Sequence, residues 1–135
     1  MKIVLSKEVA TQIISHAQNS SSEECCGILV GKEEKGLIQV VASFQVENTT
    51  SEGKKRTYRI DPFEIYRLEV ELRGTGLEPI GFYHSHPHGD ATPSSRDCED
   101  AWPGYLYLIA TPCGQLRCWL YHEKEGFKEE TLTIS

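Results

Sequence analysis

The chain has 135 residues, 25% of them charged and 39% hydrophobic, with a net charge of −6 at neutral pH. That is enough chain for one domain with a modest core, and it is not the composition of a disordered protein. The one basic run is Lys54-Lys55-Arg56, which argues against nucleic acid, since such binding draws on clustered Lys and Arg at the phosphates.

The first residues, MKIVLSKEVATQ, hold too few consecutive apolar side chains for a signal peptide. No later stretch approaches the ~20 apolar residues of a membrane span, so no membrane is expected. Ser6 is placed to cap a helix over about residues 7–19, because Ala10, Ile13, Ile14 and Ala17 recur at helical spacing; the polar run from Gln18 to Ser22 ends it. Cys25 to Gly31 is a short apolar run and reads as a buried strand. Lys32 to Gly36 reads as a hairpin loop and Leu37 to Val46 as the returning strand. Glu47 to Arg56 has no apolar residue and reads as a mobile loop, followed by the strand-like Thr57 to Ile60.

Asp61-Pro62-Phe63-Glu64 has the makings of a helix start, with Asp as cap, Pro at the first helical position and Glu at the third; Gly74 stops the helix. Pro79 to Ser85 is another apolar strand and Ser94 to about Trp102 a short helix. Tyr105 to Thr111, Leu116 to His122 and Phe127 to Ile134 complete the strands. No repeat or linker divides the chain, so residues 1–135 are expected to form one domain. Its class is α/β, a mixed and largely antiparallel sheet flanked by helices.

The five cysteines are odd in number and include no Cys-x-x-Cys pair. They read as reduced, mostly buried thiols of a cytoplasmic protein rather than a disulfide framework. In that compartment the sequon Asn48-Thr49-Thr50 has no sugar to receive.

The chemistry concentrates in GFYHSHPHGDATPSSRD, residues 81–97, with three histidines within five residues. On a strand ending near Pro87, His84 and His86 share a face about 7 Å apart and can converge on one ion through bonds of ~2.1 Å. Ser94-x-x-Asp97 taken alone is a capping box. Taken with the histidines, Asp97 becomes a third ligand and leaves a fourth position for water, the mark of a catalytic rather than structural metal. His88 follows Pro87 and reads as a surface residue. Asp90 reads as an exposed turn residue and Cys98 as a packed helix residue.

His84-Ser85-His86, then seven residues, then Ser94-Ser95-Arg96-Asp97, resembles the JAMM (MPN+) zinc metalloprotease signature, His-Ser/Thr-His-x7-Ser-x2-Asp, at every defined position. The family also carries a glutamate just before an apolar strand ending in Gly, and Glu24-Cys25-Cys26-Gly27-Ile28-Leu29-Val30-Gly31 is similar to that element. The resemblance covers nearly the whole chain and is to the stand-alone prokaryotic type. It implies the MPN (JAB) fold, related to that of cytidine deaminases. It implies one zinc ion per chain on His84, His86 and Asp97, with Glu24 as general base for the attacking water. Ser94 is implied to hydrogen-bond the oxyanion. Glu23 and Glu24 are neighbours that strand alternation cannot separate; the family's spacing to Gly31 favours Glu24.

The resemblance further implies an isopeptidase that cuts after the C-terminal Gly-Gly of a ubiquitin-like or β-grasp sulfur-carrier protein. An extended tail of this kind can add to a sheet edge, which residues 47–60 could supply. The alternative is a catalytically silent scaffold on the same fold, disfavoured because every ligand position is filled. A nucleobase deaminase would need His-x-Glu and Pro-Cys-x-x-Cys; Pro112-Cys113-Gly114-Gln115 lacks the second Cys.

Overall fold

In the computed structural model, which describes residues 1–20 and 22–135, the elements run β1 (Lys2–Leu5), α1 (Lys7–Asn19), β2 (Cys26–Glu34), β3 (Leu37–Val46), α2 (Pro62–Glu71), β4 (Glu78–Ser85), α3 (Ser95–Asp100), β5 (Leu106–Ala110), β6 (Leu116–His122) and β7 (Gly126–Ile134). Ser21, in the polar run expected to end the first helix, lies outside the described residues. The strands close on themselves in the order β1-β3-β2-β4-β5-β6-β7. The β2–β3, β2–β4, β5–β6 and β6–β7 pairings are antiparallel, while β1–β3, β1–β7 and β4–β5 are parallel. The sheet is therefore mixed and mainly antiparallel, as expected.

Strand alternation gives the sheet two apolar faces. On one, α1 lays Val9, Ala10, Ile13 and Ala17 against Leu29, Tyr83, Leu106 and Leu108. Ile13 is fully buried, a burial that stabilises by about 1.5–3 kcal/mol. On the other face, Ile28, Val30, Phe82 and Tyr107 meet Ile65 and Leu68 of α2. His84 follows Phe82 by two residues, so it emerges on this second face, at the carboxyl end of β4. The helices start where their caps are: Ser6 Oγ accepts from the Val9 amide, and Asp61 Oδ1 from the Phe63 amide.

Some boundaries differ from expectation. β1 was not anticipated; it is four residues long and is built entirely from distant partners, β3 and β7, with Ile3 and Leu5 completely buried. β2 continues three residues past Gly31, because Lys32, Glu33 and Glu34 pair with Gln39, Ile38 and Leu37. The hairpin turn shrinks to Lys35-Gly36, both at positive φ (51° and 79°), the conformation a two-residue turn between twisted strands requires. Thr57 to Ile60 is not a strand. The polar loop before it is anchored: the Thr49 amide donates to the Arg59 carbonyl at 2.9 Å, and Arg96 forms an ion pair with Glu52.

Gly81 sits where β4 and β5 press together, and a Cβ there would fall 2.1 Å from the Leu106 carbonyl oxygen. Backbone cannot yield cheaply, so Gly81→Ala should cost about 2–3 kcal/mol. Urea unfolding followed by fluorescence checks this.

Candidate metal centre

Glu24, His84, His86 and Asp97 arrive from three places. Glu24 stands two residues before the first ladder residue of β2, at the β4 end, because Cys26 pairs with His84. Ser85 points to the opposite face from His84 and fastens this junction. Its Oγ accepts from the Cys25 amide at 2.9 Å, and its own amide donates to the Cys25 carbonyl at 3.0 Å. Asp97 comes from the first turn of α3. The capping box is present there: the Asp97 amide donates to Ser94 Oγ at 3.1 Å, and the Ser94 amide donates to Asp97 Oδ2 at 2.9 Å. The capping carboxylate and the candidate metal ligand are thus the same. With Ser94 Oγ occupied as an acceptor, its hydroxyl proton is left to donate.

His84 Nε2, His86 Nε2 and Asp97 Oδ2 form a triangle with sides of 3.2, 3.1 and 3.1 Å. Four-coordinate zinc with bonds of 2.0–2.1 Å has ligand atoms about 3.3 Å apart. Tautomer chemistry points the same way. His86 Nδ1 lies 2.8 Å from the Asp90 carbonyl oxygen, which has no proton to give, so Nδ1 carries the proton and donates. In a neutral ring Nε2 then turns a lone pair towards a carboxylate oxygen and a second imidazole nitrogen, an arrangement that calls for a cation between them. Glu24 is buried with Oε1 unpartnered, and one ligand atom from each of the four residues lies within 4.8 Å of the others. The donor set fits a metal ion.

Electrostatics divide the two carboxylates. Burial, and behind it the negative charge of Asp97, push Glu24 up to about 8, with His86 pulling the other way. Burial also raises Asp97, but His84, His86 and the Ser94 amide together hold it well below the usual carboxylate range. In the chelated protein Glu24 is therefore protonated when folded at neutral pH and ionised when unfolded. Its contribution to stability is complete below its ordinary value of 4.5 and is lost as pH rises through about 8. With a chelator present, wild type should lose on the order of a few kcal/mol relative to Glu24→Gln across that window. Denaturation midpoints at several pH values check this, and a constant difference would contradict it.

The other candidates lie apart. Glu23 and His88 are exposed. Asp90 contributes its carbonyl to His86, while its carboxylate accepts from the Thr92 amide. Cys98 is exposed rather than packed, because α3 has six residues and turns its Asp97 side to the sheet. All five cysteines are free, with Cys25, Cys26 and Cys118 buried. Tyr58 was missed: its ring stacks on His84 at 4.3 Å and 20°. It also lines a cleft of about 460 Å³ with Ile60, Ile65, Phe82, Trp102 and Tyr107. His84 Nδ1 is buried without a partner, and the Tyr58 stack holds the ring where a hydrogen bond is usual.

Residues 6–122 match the family described as prokaryotic homologs of the JAB domain. The chain belongs to this family. The desampylase of Haloferax volcanii is 33% identical over 99% of this chain and 96% of its own length. The CysO-cysteine peptidase of Mycobacterium tuberculosis is 25% identical over 81% of this chain and 73% of its own. In structure, the protein DSY2949 from Desulfitobacterium hafniense superposes with a TM-score of 0.86 at 25% identity, covering 98% of this chain and 92% of that one. As a member of the JAB family the chain is a JAMM-type hydrolase, and Glu24, His84, His86 and Asp97 form its candidate metal site. Among the described residues no helix is long and apolar enough to cross a membrane.

Proposed function

We propose that this JAB-family protein is a zinc-dependent isopeptidase that hydrolyses the bond after the C-terminal Gly-Gly of a ubiquitin-like or β-grasp sulfur-carrier protein. The observation that carries the reading is the convergence of His84, His86 and Asp97 at tetrahedral spacing beside the buried, partly unpartnered carboxylate of Glu24. His84, His86 and Asp97 would hold the zinc. When bound there, the ion supplies Lewis acidity and brings the pKa of water down towards ~7. Its charge would also draw Glu24 back towards the carboxylate. Glu24 then takes a proton from the attacking water and passes it to the departing amine. Ser94 donates its free hydroxyl proton to the carbonyl oxygen as negative charge develops, a contact worth several kcal/mol in a water-poor site.

Two features support the substrate. The relatives include a desampylase and a CysO-cysteine peptidase. The cleft lies beside the site, with the Tyr58 ring, stacked on His84, between the two, so a tail lying in the cleft would have to pass Tyr58 as a slender segment to reach the metal site. Arg59 spends its amide on Asn48 Oδ1 and its carbonyl on the Thr49 amide. The backbone groups of the neighbouring Tyr58 and Ile60 have no such partner among the described residues, and an extended tail could pair with them.

Incubating the zinc-loaded protein with a β-grasp carrier extended by one residue beyond Gly-Gly, and reading intact mass, tests this. Loss of that residue is expected, with the Val-Val variant cut at least about tenfold more slowly. Equal cutting of both, or efficient cutting of unrelated unfolded peptides, would make this a general peptidase.

A further inference from the structure

Asn48 lies two residues past the end of β3, in the polar loop. Its side chain spends every hydrogen-bonding position inside the protein. Nδ2 donates to the Glu24 carbonyl at 3.0 Å and the Thr57 carbonyl at 3.1 Å. Oδ1 accepts from the Thr50 amide at 3.1 Å and the Arg59 amide at 3.0 Å. A side-chain amide has two N–H groups and two lone pairs, so this is saturation. The orientation is determined too: flipped, the amide would set N–H against N–H and oxygen against carbonyl oxygen.

The partner that matters is Glu24. Its amide donates to the Lys54 carbonyl at 2.6 Å, in the same loop. Both backbone groups of Glu24 are therefore held by the segment that Asn48 folds, ahead of the β2 ladder. No hydrogen bond fixes Glu24 Oε1, so where that buried carboxylate sits depends on its backbone and on packing. None of the four Asn48 bonds goes to His84, His86 or Asp97.

We infer that Asn48 is a positioning residue for Glu24, locking the loop from 48 to 59 onto the Glu24 backbone so that the base is aimed at the metal site. The inference rests on the reading of Glu24 as general base. Aspartate is the informative replacement, because it keeps an oxygen for the Thr50 and Arg59 amides and removes both donors. Alanine removes all four bonds. No other side chain bonds the Glu24 carbonyl in the described structure, so nothing compensates.

The test is a double-mutant cycle on the zinc-loaded protein. Asn48→Ala and Asn48→Asp are made in the wild-type and Glu24→Gln backgrounds, with zinc content, kcat and KM on the extended carrier and hydrogen exchange read for each. In the wild-type background, kcat should fall by about tenfold, since misplacing a reacting group by an ångström can cost a hundredfold; KM can rise as well, because Asn48 also holds Thr57 and Arg59 beside the cleft. Zinc content should be unchanged. Exchange at the Glu24 amide should speed up while that at Ser85 does not. In the Glu24→Gln background the further loss should be under about twofold, because the two residues act through one step. If Asn48→Ala does not fold, Asn48→Asp carries the same comparison. Equal loss in both backgrounds, a rise in KM with kcat unchanged, or loss of zinc would each overturn the inference. Failure of the underlying reading shows separately, as a Glu24→Gln single variant with wild-type kcat.

Discussion

Glu24→Gln should leave the fold and the bound metal intact and slow hydrolysis of the extended carrier by about a hundredfold or more. Glutamine has nearly the shape of glutamate but cannot take a proton from water or return it to the leaving amine. It also carries no charge to be desolvated, so the variant should be at least as stable as wild type, which separates a chemical defect from a folding defect. Glu23→Gln, at an exposed position one residue earlier, should stay within about twofold of wild type, as surface substitutions usually do. The measurement is kcat for both variants at matched zinc content. The reverse pattern would mean that the segment before β2 is out of register by one residue.

The second large effect falls on the metal. Wild type should carry close to one zinc ion per chain, and His86→Ala should lose most of it on dialysis, with activity falling in parallel. Three protein ligands hold a catalytic zinc, and removing one leaves two with a weakened surround. The Asp90 carbonyl that orients His86 would then have nothing to orient. Because an ion that binds only the folded state raises stability by mass action, the melting temperature of wild type should rise with added zinc and that of the variant should not. Full zinc retention in His84→Ala/His86→Ala would sink the assignment.

The signature residues were legible because their chemistry depends on short spacings within one strand, one loop and one helix turn. Asp97 had two readings in the sequence, cap and ligand, and the structure shows them to be compatible: Oδ2 accepts from the Ser94 amide while facing both imidazoles. α1 and α2 were legible from periodicity and caps, both local. What escaped depends on distant partners. β1 exists because β3 and β7 offer it two edges, and four residues carry no period from which to foresee that. The choice between Glu23 and Glu24 needs the start of the β2–β4 ladder, which Ser85 sets from 60 residues away. Asn48 lies in a loop whose polarity suggested mobility, and Tyr58 in a segment that read as strand-like. Their roles come from a ring 26 positions further on and from four backbone groups that the fold gathers around one amide.

The most direct test of a metal-dependent hydrolytic centre at Glu24, His84, His86 and Asp97 is hydrolysis of the extended carrier in ¹⁸O-labelled water, before and after chelation and again after zinc is restored. Cleavage should stop on chelation and return with zinc. The new C-terminal glycine should carry one ¹⁸O, because water is the nucleophile. Cleavage that persists through chelation, or that leaves the new carboxylate unlabelled, would contradict it.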